Sequence, residues 1–277
     1  MAFVGSTQAT GVRSSGLSDG EDDPDFVRAL ARGLQVIEAF DAAQEPQTLS
    51  ELSIKVGLSR GSTRRLLLTL EHLGYVGSAA GRFFLLPRTL RLGHAFLSSQ
   101  PVWHLTRSYL EKLVTATGES ASIAILDETD IVYVARVSAR RLVNDTIGIG
   151  TRFPAYANSM GKVLLAALAE KELKRRLLKL SLRRITEHTI VDRSELVSEI
   201  QKVRKNGWAI NDQEMQLGLR SIAVPLRDSE TNIVAALNLS TNPARASLKT
   251  LEKQYLPLLM ECANELSAMI AWHRNVR

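Results

Sequence analysis

Apolar residues recur every three to four positions in the first third of the chain and mark helices there. From Arg28 to Phe40, Leu30, Leu34, Ile37 and Phe40 fall on one face. Thr48 to Gly57 gives a shorter helix, with Leu49, Leu52 and Val56 on its buried side and with Thr48 and Glu51 at capping-box spacing. Gly57-Leu58 reads as a tight turn. A third helix is predicted from about Arg60 to Leu73. Ser59 suits its N-cap, Leu66, Leu70 and Leu73 with Leu67 and Thr63 make its apolar stripe, and Gly74 ends it. The period then shortens: Tyr75-Val76 and Phe83 to Leu86 read as two strands around a Gly/Ala-rich turn. Helix, helix, turn, helix, hairpin is the order of a winged helix-turn-helix.

Pro87 opens a connecting helix that runs to Ser99, and the texture changes near Pro101. Residues 105–118 read as helix, residues 120–127 and 131–137 as strands joined by a turn, and residues 157–180 and 193–207 as helices. Residues 208–212, 218–228 and 233–241 follow as strands, and residues 248–272 close the chain as a helix in spite of Pro257. The pattern divides the chain into a tail (1–25), a winged helix-turn-helix (26–86), a linker helix (87–100) and a mixed α/β domain (101–277), an α+β chain overall. The Gly, Ser, Thr and Asp content of the tail reads as disorder, and its start lacks the charged and apolar regions of a signal peptide.

Charge changes the picture in one place. The net charge over 277 residues is +6, which permits nucleic acid without requiring it. Between Glu51 and Glu71, however, there is no acid, while Lys55, Arg60, Arg64 and Arg65 are basic. The arginines stand at the start of a helix, the end whose dipole disfavours cations by some tenths of a kcal/mol each. An external anion removes that conflict. Alone, such a cluster is also the mark of a solvated basic face. In a helix-turn-helix the first turns of the second helix reach base edges and phosphates. Ser59, Arg60, Gly61, Ser62, Arg64 and Arg65 are therefore the DNA-binding candidates. Gly61 weakens the helix but allows close approach. Arg82, near the hairpin tip, is either a minor-groove or backbone contact or a plain exposed arginine.

Other chemistry is thin. The five histidines are scattered without metal-ligand spacing, and neither a G-x-S-x-G elbow, a P-loop nor a G-x-G-x-x-G is present. The lone cysteine, Cys262, precludes an internal disulfide and suits a reducing cytoplasm. No apolar run reaches the length of a membrane span. No metal or cofactor is expected, and an enzyme is disfavoured. In "RFPAYANSMGK", Pro154 breaks the chain and Asn158 or Ser159 can cap the next helix, leaving amides at Ser159, Met160 and Gly161 as an anion cradle. Taken alone, this stretch reads first as an ordinary capped helix.

The stretches "RALARGLQVIEAF", "LSRGSTRRLLLTLEHLGYV", "PAYANSMGKVLLAAL" and "GWAINDQEMQLGLRSIAVPLRD" together resemble the IclR family of bacterial transcription regulators, from about Phe26 to the end. The resemblance implies a winged helix-turn-helix followed by a GAF-like effector domain. Within the family, "GSTRRLLLTLEHLGYV" and "GLRSIAVPLRD" are most similar to regulators of aromatic-acid degradation by the β-ketoadipate route, which answer to protocatechuate, 4-hydroxybenzoate or β-ketoadipate. The alternative is a regulator of another carbon-source pathway, answering to a small keto or hydroxy acid. Carried over by position, the effector site has Ser159 and Met160 as backbone donors. Asp212, Ser221, Asn238 and Ser240 are its polar contacts and Leu219 an apolar wall. Arg136 and Arg220 are candidates to pair a carboxylate, or else structural ion-pair partners, and Tyr133, Phe153 and Tyr156 are candidates to wall an aromatic slot. Asn211 stands where an acid is frequent and Ser221 where cysteine is common. The partners implied are a double-stranded DNA operator, a small carboxylic-acid effector and a second copy of the chain, as a homodimer or dimer of dimers. Leu90, Leu92 and Phe96, with the first helix, are the dimer-surface candidates.

Overall fold

A computed structural model describes residues 24–40, 45–99, 102–139 and 147–275. The tail expected over residues 1–25 lies outside them but for its last two positions. The chain divides into two compact units, Met1–Phe96 and Leu97–Arg277.

The N-terminal unit holds α1 (Arg28–Glu38), β1 (Gln47–Thr48), α2 (Leu49–Val56), α3 (Arg60–His72), β2 (Val76–Ala79) and β3 (Arg82–Leu85). The capping box at the start of α2 is formed: Thr48 Oγ1 accepts from Glu51 N, and the Glu51 carboxylate accepts from Thr48 N at 2.7 Å. The donation from Thr48 N, with a second from Thr48 Oγ1 at 2.9 Å, holds the Glu51 carboxyl below its usual pKa. Gly57 ends α2 in the left-handed region at φ 66°, which an L side chain adopts only at a cost. Ser59 caps α3, accepting from Ser62 N at 3.2 Å. Val36, Leu52, Leu67, Leu70 and Val76 close around one small core. Burying each aliphatic side chain there is worth roughly 1.5–3 kcal/mol.

Two expectations shift. The stripe of α3 is centred on Thr63, Leu67 and Leu70, while Leu73 is 46% exposed; on α1, Val36 is the residue fully buried and Leu30 and Leu34 stand on solvent. The hairpin is also tighter than expected. β2 and β3 pair from Val76↔Leu85 to Ala79↔Arg82, leaving only Ala80 and Gly81 as the turn, both with positive φ. That is the two-residue geometry matching the twist of a hairpin, and Ala80 adopts it without being glycine. β1, absent from the sequence reading, adds a third strand through Gln47↔Phe83 and Thr48↔Arg82.

A 3₁₀ turn at Pro87–Thr89 leads into α4 (Leu90–Ser99). The C-terminal unit continues with α5 (Val102–Leu105), α6 (Arg107–Thr117), β4 (Ser120–Asp127), β5 (Asp130–Val137) and β6 (Arg152–Pro154). Next come α7 (Ser159–Ala167), α8 (Glu170–Lys179), α9 (Arg193–Asn206), β7 (Ala209–Asp212), β8 (Arg220–Arg227) and β9 (Ile233–Thr241). α10 (Leu248–Thr250), a π turn at Leu251–Tyr255 and α11 (Leu256–Asn275) end the chain. The single helix expected over residues 157–180 is two, because Leu168 and Ala169 are extended at ψ 145° and 149°. The π turn sits before Pro257, whose missing N–H interrupts the ladder.

The strands form one antiparallel sheet in the order β6-β5-β4-β9-β8-β7. Ile123, Ile222, Leu237 and Leu239 face α6 and α11, while Ala124, Ala209, Ala223 and Ala236 face α7, α8 and α9. Large residues on one side and alanines on the other bring α7 close. Gly161 completes that approach: a Cβ there would stand 2.1 Å from the carbonyl oxygen of Ala155.

Candidate functional site

The arginines of α3 are where their helix start required something external. Arg60, Arg64 and Arg65 are exposed, and none forms an ion pair or side-chain hydrogen bond with a described residue. At about 100° per residue, Gly61, Arg65, Leu68 and His72 lie opposite the buried Thr63, Leu67 and Leu70. Arg64 lies on the flank of Glu71, which accepts from Ser78 of the hairpin at 2.6 Å, so Arg64 shares the side that faces the wing. Arg65 borders the opposite flank. There, Leu30, Gly33, Leu34, Leu66, Leu73 and Leu92 line an open cleft of about 710 Å³, with Arg65 at its edge. Arg82 follows the wing turn directly. Its guanidinium donates to the Pro46 carbonyl at 2.9 Å, and so ties the wing to the approach of β1.

In the other unit the register brings distant residues into rows. Asn211, Ser221, Ser240 and Ser120 are consecutive partners across β7, β8, β9 and β4. Two residues along, Ala209, Ala223, Asn238, Ser122 and Arg136 form the next row, reaching β5. By the alternation of strands both rows share the face covered by α7. A sheet face under helices is ordinarily apolar, yet Ser120, Ser122, Asn211, Ser221 and Asn238 are all buried. Most are satisfied locally. Ser122 Oγ accepts from Arg136 Nη1 at 2.9 Å, Ser120 Oγ from Ala139 N at 3.0 Å, and Asn211 Nδ2 donates to the Ala157 carbonyl at 2.6 Å. Ser159 Oγ, on the first turn of α7, lies 2.7 Å from Ser221 Oγ. Asn238 donates from Nδ2 to Ser240 Oγ at 3.1 Å, and its buried Oδ1 meets no partner among the described residues. Turning the amide over moves the unmatched atom without removing it. A buried polar atom left so costs about 1–3 kcal/mol unless something else binds it.

A helix-turn-helix with free cations joined to a domain with a polar buried face is the layout of a regulator, and comparison with known proteins decides which kind. The family model for the bacterial transcriptional regulator IclR C-terminal domain matches residues 94–268, and that for the IclR helix-turn-helix domain matches residues 29–78. The chain belongs to the IclR family. Among its relatives, the Pca regulon regulatory protein of Pseudomonas putida is 41% identical over 88% of this chain and 84% of its own. The crystal structure of a candidate transcriptional regulator from Rhodococcus sp. RHA1 is 46% identical, with a TM-score of 0.74 over 89% of this chain and 99% of its own. A third similar structure is the inducer-binding domain of the Acinetobacter transcription factor PobR, a double mutant in complex with 3-hydroxybenzoic acid. It is 34% identical, with a TM-score of 0.57 over 59% of this chain and 96% of its own.

Several of the residues singled out in this IclR-family sequence are not where effector contacts were expected. Met160 does not offer its amide: the N–H is bonded to Asn158 Oδ1 at 3.0 Å, because Asn158 takes the N-cap, and the Met160 side chain is fully buried. Asp212 alternates onto the opposite sheet face from Asn211 and Ser221. There Arg220 grips both its oxygens at 2.8 and 2.9 Å while also donating to the Ala246 carbonyl. Those bonds hold the Asp212 carboxyl below its usual pKa, and they settle Arg220 as a structural partner. The three aromatic candidates are each engaged within their own domain. Tyr133 and Phe153 pack edge to face at 5.8 Å within the α7-side core, and the Tyr156 hydroxyl is tied to the backbone of Arg183. Ser159, Ser221, Asn238, Ser240 and Arg136 do converge on the polar face, and the half-buried Leu219 stands two residues before Ser221 at its edge. Ser120 and Ser122 were missed. Their signal was present in "SASIAI", where two serines stand at alternate positions of an otherwise apolar strand.

Proposed function

We propose that this IclR-type regulator controls aromatic-acid catabolic genes and is itself controlled by a small carboxylic acid of the protocatechuate, 4-hydroxybenzoate or β-ketoadipate class. The effector is held on the sheet face under α7. The observation that carries this is the pair of buried polar rows, with the unmatched amide atom of Asn238 between them. Arg136 supplies the cation, Ser122, Ser159, Ser221, Asn238 and Ser240 supply hydrogen bonds, and Leu219 closes the edge. Neighbouring strands are about 4.8 Å apart, so Ser122 and Ser221, on strands separated by β9, bracket roughly 10 Å, the size of a small acid. The relatives support the class: one regulates a Pca regulon and another holds 3-hydroxybenzoic acid.

Ser59, Arg60, Gly61, Ser62, Arg64 and Arg65 read the operator on this proposal, in the cytoplasm, with Arg82 steadying the wing. A homodimer presents two such heads to two half-sites about 34 Å apart or a multiple of that. The cleft along α1, with exposed Leu30, Leu34, Leu90, Leu92 and Phe96, is the surface the second copy covers. Effector and DNA are then linked through the same assembly, each altering the other's affinity by one common factor. A thermal-shift screen of the three acids, with and without upstream DNA, tests the proposal. One acid at a hundred times its Kd stabilises by about 2.7 kcal/mol, and it shifts operator affinity. If no acid in the class moves either quantity, the proposal fails.

A further inference from the structure

Among the described residues, the largest fully buried side chain is that of a lysine. Lys162 lies on α7, one helical turn beyond Ser159, and its side chain is 1% exposed. Its ammonium bonds Glu214 Oε1 at 2.5 Å, and Glu199 Oε1 of α9 lies 3.9 Å away. Glu214 stands on the connection between β7 and β8, three residues after Asn211 and seven before Ser221, with its side chain 9% exposed. The same connection is held from a third side: Thr186 Oγ1 donates to the Gln213 carbonyl at 2.8 Å and Thr189 Oγ1 to the Glu214 carbonyl at 2.7 Å. Two backbone bonds shape the turn itself, Gln213 N to Leu219 O and Leu219 N to Gln216 O.

We propose that Lys162 and Glu214 are positioning residues of the effector site. Their ion pair fixes the β7–β8 connection against α7, and so sets Asn211, Leu219 and Ser221 against Ser159. A charge pair so deeply buried is not an economical source of stability, since matched apolar residues commonly do as well. Its distinguishing property is that it holds only one geometry, because either charge left alone in that interior is strongly disfavoured. Both chain segments that meet at the 2.7 Å contact of Ser159 with Ser221 are thereby fixed at a second point nearby. The inference rests on the effector reading proposed above.

The test uses the full chain with Lys162→Met, Glu214→Gln and the reversed pair Lys162→Glu/Glu214→Lys. Amide hydrogen exchange is followed over residues 210–222. Calorimetric titration uses 4-hydroxybenzoate, protocatechuate and β-ketoadipate, and operator affinity is measured without acid. Each single variant is expected to exchange at least tenfold faster at Gln213 and Leu219. It should also bind the acid that the parent binds at least tenfold more weakly, while acid-free operator affinity stays within twofold. The reversed pair is expected to recover part of both losses, which a variant that merely destabilises the fold would not do. Parental acid affinity in the single variants overturns the inference, even with faster exchange, because the pair would then serve stability alone. If the parent binds none of the acids, the effector reading falls, and parental exchange at Gln213 and Leu219 separately overturns the pair's hold on the connection.

Discussion

In the N-terminal unit Arg60, Arg64 and Arg65 stand on solvent without ion-pair partners among the described residues, whereas in the C-terminal unit Ser122, Ser159, Ser221 and Asn238 are at most 5% exposed. Both groups are polar and both are proposed to bind a ligand, yet they relate to folding in opposite ways. Exposed cations contribute almost nothing to the fold, so DNA affinity and stability separate cleanly there. A polar row under a helix occupies positions where apolar residues would be more stable, so binding and stability are traded against each other. Two glycines sharpen the contrast most. Gly161 meets the backbone of Ala155, while nothing stands within 4 Å of the Cβ position at Gly61. Gly161→Ala is expected to lose about 3 kcal/mol or more, by forcing α7 off the chain before it. Gly61→Ala is expected to gain up to about 1 kcal/mol in helix stability and to lose operator affinity through its added bulk. Denaturant unfolding and anisotropy titration of both variants check the pair; equal losses of stability at the two positions would end the comparison.

Asn238→Leu is the next largest effect. The substitution keeps the branched shape and the number of side-chain heavy atoms and removes the unmatched amide. Acid affinity is expected to fall at least tenfold, while the urea midpoint stays level or rises, because the unmatched buried amide oxygen is gone and Ser240 Oγ, which loses the Asn238 donor, is only partly buried. A fall in stability with parental acid affinity would mean that Asn238 belongs to the fold and not to the ligand. Arg64→Ala gives a smaller change at the opposite end. It should weaken operator binding by roughly 1–3 kcal/mol if the arginine reads a base. If it holds a phosphate, the log–log salt slope should instead drop by about 0.9. The melting temperature stays put in either case. Unchanged affinity in Arg64→Ala and Arg65→Ala together would remove α3 as the reading helix.

The same contrast explains what the sequence allowed to be read in advance. The proposed DNA face is local in the chain: six of the seven residues from Ser59 to Arg65 are its candidates, all but the buried Thr63, and a capping residue, a periodic stripe and the lack of acids suffice to find the stretch. Its errors are small rotations, such as Leu73 on solvent instead of in the core. The proposed effector face takes one residue or two from each of five strands and one helix, and only the register says which of them meet. Asp212 and Asn211 are adjacent in the chain but face opposite sides of the sheet, so a carry-over by position could put the wrong one in the site. The engagement of the Met160 amide has a more local cause, since Asn158 and Ser159 are both fit to cap α7 and Asn158 does so. Ser120 and Ser122 were readable by period two in a strand that is otherwise apolar.

The smallest expected effect lies at that same boundary, where two carboxylates flank the β7–β8 connection under opposite influences. Asp212 is held below its usual 3.8 by hydrogen bonds from Arg220. Its contribution to stability is therefore present above 3.8 and is lost as pH falls through the lowered folded-state value. Glu214 is pushed above its usual 4.5 by burial, against the pull of Lys162. Its contribution runs the other way: it is complete below 4.5 and is lost as pH rises through the raised value. Trp103, Trp208 and Trp272, the three tryptophans of the chain, all lie in the C-terminal unit, so their fluorescence follows the unfolding of that unit alone. Urea midpoints from pH 3 to 8 should show Asp212→Asn flattening the acid limb and Glu214→Gln flattening the slope above pH 4.5. Because Asp212 is partly open to solvent, its change should be the slighter of the two and should shrink further in high salt. If Asp212→Asn instead altered the slope on the alkaline side, the assignment of these two carboxylates to opposite environments would be wrong, and with it the placement of Asp212 outside the buried polar rows.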